Sequence, residues 1–373
     1  MAIAVSKSRP CDDPAPVLAI AADRRRGRGA LSNAAGRFEP LQRAITDDGW
    51  ATAETLPDFA TEVIVERPKS VITRNESPDI GFDRSINPYR GCEHGCVYCF
   101  ARPTHAYMGL SPGLDFETKL FVKEGAAQVL ERELARPDYQ PKLIAIGTNT
   151  DPYQPIEKRH RLMRSILEVL ARANHPVGIV TKSALVQRDI DILQPMAAKG
   201  LVKVAISITT LDPVLARKLE PRAPTPARRL ETIRVLAAAG IPVSVMVAPI
   251  IPAINDAEIE TILTRAHAYG AESAGYVLLR LTGEVKDLFR QWLLEHYPDK
   301  MRHVISLVQS TQDGQDYNST FGRRMTGTGP YAWMLGRRFE LASQKLGLDK
   351  SRLRLRTDLF VPPQPAGTQL NLF

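Results

Sequence analysis

From residue 142 onward the chain alternates between two textures. Short β-branched and aliphatic runs occur at Lys142–Gly147 (KLIAIG), Val177–Thr181 (VGIVT), Val202–Ile208 (VKVAISI), Val243–Ile250 (VSVMVAPI) and Tyr276–Leu281 (YVLLRL). Between them lie longer stretches whose apolar positions recur every three to four residues: Lys158–Ala173, Arg188–Lys199, Pro213–Leu219, Pro226–Ala239, Asp256–Tyr269 and Val285–Tyr297. Gly240 stands where a helix C-cap belongs. The short runs read as strands buried on both faces and the periodic stretches as the helices that cover them. That pattern predicts βαβ units and a parallel sheet. One further strand placed just before Cys92 makes six repeats. A closed eight-fold barrel takes about 250 residues, so the expected fold class is α/β, a partial (β/α)6 TIM-type barrel. In parallel barrels chemistry sits at the C-terminal ends of the strands.

The flanks differ in texture. Residues 1–75 are rich in Ala, Arg, Pro and Asp without a sustained period, and are expected to be mostly a disordered N-terminal tail with a short strand at Val63–Val65. Gly27–Asn33 is too specific in composition for filler, yet no mechanism attaches to it. The barrel core is expected over 76–298, followed by a basic α/β extension over 299–358. In the extension Met301–Gln309 and Tyr331–Leu346 read as helices, joined through the Gly/Thr-rich Thr326–Pro330. Arg352–Arg356 (RLRLR) reads as an edge strand with three arginines on one face. Residues 359–373 are expected to form an extended, Pro-rich tail.

Composition narrows the setting. Of 373 residues 44% are hydrophobic and 24% charged, ordinary values for a globular chain. No run of 18 apolar residues marks a membrane span, and residues 1–20 lack the pattern of a secretory signal. Four cysteines, three of them clustered, argue for a reducing compartment, hence the cytoplasm. The net charge is +8 and its placement is uneven. Nine Lys or Arg lie between Arg323 and Arg356 against only Glu340 and Asp349, and a second basic run spans Arg24–Arg28. Such patches suit a polyanion, with Arg324, Arg337, Arg338, Arg352, Arg354 and Arg356 as candidates for phosphate contacts. A solvated surface that aids solubility is the commoner role of any one charge run.

The densest chemistry lies in Asn87–Phe100 (NPYRGCEHGCVYCF), where Cys92, Cys96 and Cys99 follow the spacing C-x3-C-x2-C. Clusters are normally held by four cysteines, so three on one loop imply an iron–sulfur cube with an open coordination position. Zinc is the alternative, as a Cys3His site completed by His94 or His105 in a nucleic-acid-binding module without catalysis. Against zinc, no second ligand pair follows, and the downstream residues read as a barrel.

The cysteine spacing, with Tyr98 just before the last cysteine, resembles the signature of the radical S-adenosylmethionine (SAM) enzymes, and residues 85–285 resemble their spore photoproduct lyase-like branch. The resemblance implies a [4Fe-4S] cluster whose free iron binds SAM, a low-potential electron donor, and cleavage of SAM to a 5′-deoxyadenosyl radical. It further implies that Asn149 or Asp151 meets the SAM amino group, that Lys182 and Ser207 reach its carboxylate or ribose, and that Arg222, oriented by Glu220, anchors an anion, with Arg229 behind them. Asx-turn or helix-cap roles suit Asn149 and Asp151 equally well. Ala248–Pro252 would shape the adenine pocket. One departure is visible: Gly147 stands where that branch's lyase places the cysteine that returns a hydrogen atom, and the spare Cys11 lies far off in the tail. Tyr98, Tyr107 and Tyr153 are the candidate donors in its stead, each equally suited to packing.

The last five residues, Gln369-Leu370-Asn371-Leu372-Phe373, resemble the peptides by which bacterial repair and replication proteins dock on the DNA polymerase sliding clamp. Leu370, Leu372 and Phe373 would fill an apolar pocket while Gln369 fixes orientation. Together these features lead to the expectation of a radical SAM enzyme acting on nucleic acid in DNA repair. A small-molecule or protein substrate is the alternative.

Overall fold

The computed structural model of the protein describes residues 20, 22–23, 25–39, 59–349 and 354–364. Ten strands occur among them: β1 (Glu62–Glu66), β2 (Thr73–Arg74), β3 (Arg84–Ile86), β4 (Tyr89–Arg90), β5 (Lys119–Lys123), β6 (Ile144–Ile146), β7 (Val177–Thr181), β8 (Val202–Ser207), β9 (Val243–Ile250) and β10 (Ser273–Leu278). The main sheet has the order β10-β9-β8-β7-β6-β3-β2. Its strands β3 and β6 to β10 pair in parallel, and β2 is antiparallel on β3. The two edges, β10 and β2, do not pair, so the barrel is open as the six-repeat pattern requires. A second sheet, β1-β5-β4, stands beside the cysteine loop.

Eleven α-helices accompany the described strands: α1 (Asp115–Thr118), α2 (Ala126–Leu134), α3 (Glu157–His160), α4 (Leu162–Arg172), α5 (Ile190–Ala198), α6 (Pro213–Leu219), α7 (Pro226–Ala238), α8 (Ile259–Ala268), α9 (Val285–His296), α10 (Met301–Ser310) and α11 (Gly329–Leu346). Each covering helix turns an apolar stripe to the sheet. In α4 that stripe is Met163, Ile166, Leu167, Val169 and Leu170, all buried. Local signals start and stop the helices. Asp212 caps α6, its Oδ1 accepting from Val214 N at 2.8 Å, with Pro213 in the first turn. Gly347 ends α11 in the left-handed conformation at φ 66°.

Several expectations need correction. The stretch expected as one helix over 158–173 is two, because Arg161 adopts φ 52° and breaks α3 from α4. The crossover helix α2, which buries Val129, Leu130 and Leu134, was not expected at all. The described part of the N-terminal stretch is not a loose tail: β1 pairs with β5, and residues 28–32 are buried. Arg354–Arg356 forms no strand, because the sheet edges are β10 and β2 while this segment runs past the turn that follows α5. There Arg356 N donates to Gly200 O at 3.0 Å, and Val361 N further on donates to Ala173 O at 2.9 Å. Arg352, Cys11 and the clamp-like Gln369, Leu370, Leu372 and Phe373 lie outside the described residues. No helix among the described residues is long and apolar enough to cross a membrane.

Candidate active site at the cysteine loop

The loop that follows β4 carries all three clustered cysteines, none of them in a disulfide. Backbone bonds close it on itself and on its surroundings: Cys92 N to Phe116 O at 3.0 Å, Cys99 N to Cys96 O at 3.2 Å, and Val97 N to Leu219 O at 3.1 Å. Beneath it the fully buried Arg102 donates to Cys96 O (2.9 Å), Gly95 O (3.2 Å), Pro112 O (3.0 Å) and Gly113 O (2.9 Å), and pairs with Glu117. The Glu117 carboxylate also accepts from Gly29 N and Ala30 N, both at 2.8 Å. Arg28 donates to Glu117 O at 3.0 Å, to Phe59 O at 2.9 Å and to Thr61 Oγ1 at 2.9 Å. Residues 28–30 thus form part of the floor under the cysteines. A side chain at Gly29 would overlap the Gly95 carbonyl, which is why the approach needs glycine.

Burial pushes all three thiols upward. Cys96 rises to about 12, with the Glu220 carboxylate adding to burial and Lys182 opposing it. Cys92 is pushed up by burial and then by Asp151, and Cys99 by burial. A bound metal centre would have to supply the positive charge that ionises them.

The wall opposite the loop is made by strand ends. Lys182 follows β7, and its Nζ donates to Ser207 Oγ at the end of β8 at 2.9 Å. The same Nζ lies 3.8 Å from Glu220 Oε1 and 5.9 Å from the centre of the Tyr98 ring. Glu220, just past α6, is fully buried. It accepts from the Tyr98 hydroxyl and from Thr209 Oγ1 (2.6 Å) and pairs with the buried Arg229. Burial alone would raise its pKa; Arg229 and Lys182 outweigh that and hold it at about 2. Ser207 Oγ donates to Ala248 O at 3.2 Å, and Thr209 Oγ1 lies 3.2 Å from the same oxygen, tying the third strand end, β9, to the set.

Asp151 holds the wall together. Its Oδ1 accepts from Thr181 Oγ1 (2.7 Å) and Tyr153 N (2.9 Å), and its Oδ2 accepts from Lys182 N (2.8 Å). His94 Nδ1, on the cysteine loop, lies 3.4 Å from that same Oδ2. Burial would raise this carboxyl, but His94 and these donors hold it at about 2. Asp151 is therefore an anchor within the protein. Asn149, the other residue assigned to the SAM amino group, stays half-buried, its N–H bonded to Asn87 Oδ1 at 3.0 Å.

Cys92, Cys96, Cys99, Tyr98, Lys182, Ser207 and Glu220 are thus brought together. Arg222 is placed differently from expectation: α6 ends so that Glu220 turns inward to Arg229, while Arg222 swings out to Glu93 Oε1 at 3.0 Å. Among the other tyrosines, Tyr153 donates from the core to Asp189 at 3.0 Å, and Tyr107 is exposed against Phe38. Neither joins the set. Thr209, Arg102 and Glu117 were not anticipated, and Arg28, expected in a basic surface run, is buried against Glu117 O instead. Only Thr209, beside Ser207 at a strand end, carried a local signal.

Gly147 adopts φ +90°, and a Cβ there would overlap the Val180 carbonyl oxygen. No cysteine fits that position without a backbone shift. The donor set bears on the two metal readings. His105 Nε2 bonds Lys119 O at 2.9 Å, and His94 Nδ1 lies 3.4 Å from Asp151 Oδ2. No three His, Cys, Asp or Glu side chains among the described residues are grouped for a single ion. Three free thiols on one loop fit a cluster, which spreads its ligands over separate irons.

An open parallel sheet with such a loop at its strand ends defines a partial TIM-type barrel. Residues 86–266 match the family model of the radical SAM superfamily. The fold resembles spore photoproduct lyase, with TM-score 0.55 at 17% identity over 76% of this chain and 79% of that one. A variant of that enzyme with bound AdoMet and dinucleoside spore photoproduct gives 0.54 at 16% identity over 76% and 79%. An uncharacterised protein of Mycobacterium tuberculosis is 41% identical over 220 residues, 58% of this chain and 65% of the relative. The match therefore spans just under two thirds of that relative. One of Methanocaldococcus jannaschii is 28% identical over 197 residues, 53% of this chain and 71% of the relative. Over residues 86–266, just under half its length, the chain is thus similar to the radical SAM superfamily.

Proposed function

We propose that the protein is a radical SAM enzyme that abstracts hydrogen from a nucleic acid, in a repair-type reaction. The observation that carries the first part is the convergence of three free thiols with Lys182, Ser207 and Glu220 at the C-terminal mouth of the open sheet. Cys92, Cys96 and Cys99 would hold a [4Fe-4S] cluster. When bound, the cluster and SAM supply an electron and a 5′-deoxyadenosyl radical.

The chain's own residues prepare the site. Lys182 presents an ammonium for the SAM carboxylate; Ser207 and Glu220 hold that ammonium in place. Asn149 is the side chain left for the SAM amino group, since the Asp151 oxygens are already taken. Tyr98, held by Glu220 and Thr209, is the tyrosine positioned beside the chemistry.

The nucleic acid substrate is supported by the net charge of +8 and by the lyase neighbour with a dinucleoside photoproduct bound. Of the proposed phosphate contacts, Arg324 pairs with Asp79, Arg337 with Glu340, Arg338 with Glu260 and Arg356 with Asp358, so a polynucleotide would have to compete for them. Gln369–Phe373 would dock on a sliding clamp, and reduced thiols would place the protein in the cytoplasm.

Anaerobic reconstitution, followed by SAM, a strong reductant and chromatography for 5′-deoxyadenosine, tests the reading. Product from wild type and none from Cys96→Ala supports it. Zinc without iron in the purified protein, with SAM intact, would sink it.

A further inference from the structure

Just past β10, at the rim of the same mouth, Arg280 lies between two aromatic rings. Its Cζ is 4.7 Å from the Phe100 ring centre and 5.6 Å from that of Tyr317. Nη2 donates to Tyr317 Oη at 3.1 Å, Nη1 lies 3.6 Å from Met325 Sδ, and Nε is buried without a hydrogen-bond partner. Phe100 directly follows the last cysteine, is 42% exposed, and accepts at its carbonyl from Thr282 Oγ1 (3.3 Å).

Tyr317 and Met325 belong to the connection between α10 and α11. That segment is fastened to β10 by Leu278 N to Met325 O at 2.9 Å. It is also attached to Asp79, between β2 and β3, through Arg324 and Gly322 N. It therefore straps the gap between the two sheet edges and presses Tyr317 onto Arg280.

Most buried or half-buried arginines here meet a carboxylate, and Arg28, which does not, is met by two carbonyls and a hydroxyl. Arg188, Arg229, Arg290 and Arg324 are likewise half-buried or buried, and each meets a carboxylate. Among the described residues Arg280 forms no ion pair. Asp79 is within electrostatic reach but already bound by Arg324 and Gly322. A guanidinium taken partly out of water without a counter-charge is costly unless a ligand brings one. Its planar fork matches a phosphate, and the open face of Phe100 offers a stacking surface for a base.

We propose that Arg280 and Phe100 form a nucleotide subsite, the arginine taking a phosphodiester and the phenyl ring the adjoining base. The subsite sets which nucleotide of a strand is presented to the cluster loop. It rests on the nucleic acid reading above.

The test uses reconstituted full-length protein and a fluorescein-labelled thymidine oligonucleotide, followed by anisotropy across a salt series. Arg280→Gln should weaken binding about 10-fold and reduce the slope of log affinity against log salt by about 0.7. Arg280→Lys should keep the slope and lose affinity, since charge survives and the fork does not. It also serves if the glutamine variant fails to fold. Affinity and slope equal to wild type in both variants would overturn the subsite. If wild type binds no oligonucleotide, calorimetry with thymidine 5′-monophosphate separates the two ideas. Arg280-dependent binding of the mononucleotide keeps the subsite and removes the polynucleotide substrate; its absence overturns the subsite as well.

Discussion

The floor and the rim of the candidate site are built on opposite terms. In the floor the central ion pair is fully met: Arg102 spends its guanidinium on four carbonyls and Glu117, and Glu117 takes two further backbone N–H groups. At the rim Arg280 is held by rings, a hydroxyl and a sulfur, with one buried nitrogen left over. A fully satisfied buried network fixes one geometry, which a loop presenting three thiols needs. An arginine without a carboxylate is what a ligand-facing surface needs. The contrast separates residues that shape the cofactor loop from those open to a substrate, within one mouth.

Breaking the floor should have the largest effect. Glu117→Ala leaves the Arg102 charge buried and two N–H groups unpaired, and should cost about 3–5 kcal/mol in chemical denaturation, with iron lost on reconstitution. A cost as small as that of a surface change would mean that the network is not what holds the loop.

Acid should loosen the same floor by a second route. His105, buried under the loop with Nδ1 unpartnered and packed against Phe116, titrates at about 4; burial lowers it, Arg102 and Arg90 add to this, and Lys119 O and Asp115 oppose it. The unfolded chain therefore binds the proton first. Stability should be complete above the unfolded value near 6.5 and fall by about 3 kcal/mol as pH drops to 4. His105→Gln should flatten that stretch of the stability–pH curve.

Gly29→Ala, which forces a methyl onto the Gly95 carbonyl, should cost about 1–3 kcal/mol and lower the melting temperature. Arg280→Gln should have the smallest effect on folding, within about 0.5 kcal/mol, because its partners are rings and a thioether rather than charges. A large loss of stability there would erase the distinction between floor and rim.

Legibility in the sequence followed locality. The parallel strands stood out as short, mostly apolar β-branched runs, and the thiols stood out because their spacing sits within eight residues. The convergence of Lys182, Ser207 and Glu220 was reachable only through family resemblance, since nothing local says that three strand ends share a point. The floor was not legible: Gly29 and Glu117 are 88 residues apart, and the segment carrying Gly29 has no periodicity. Arg354–Arg356 showed why alternation is incomplete evidence, for a strand needs a free sheet edge as well as a pattern, and these residues meet none.

The proposed radical chemistry requires the cysteine loop to hold an iron–sulfur cluster with one iron open to SAM. Low-temperature electron paramagnetic resonance of the reduced, reconstituted protein, recorded before and after adding SAM, tests that claim most directly. A cluster signal that changes shape on adding SAM, and is lost in Cys96→Ala, is the predicted result. A cluster signal indifferent to SAM, or a colourless zinc protein with no signal, would contradict it.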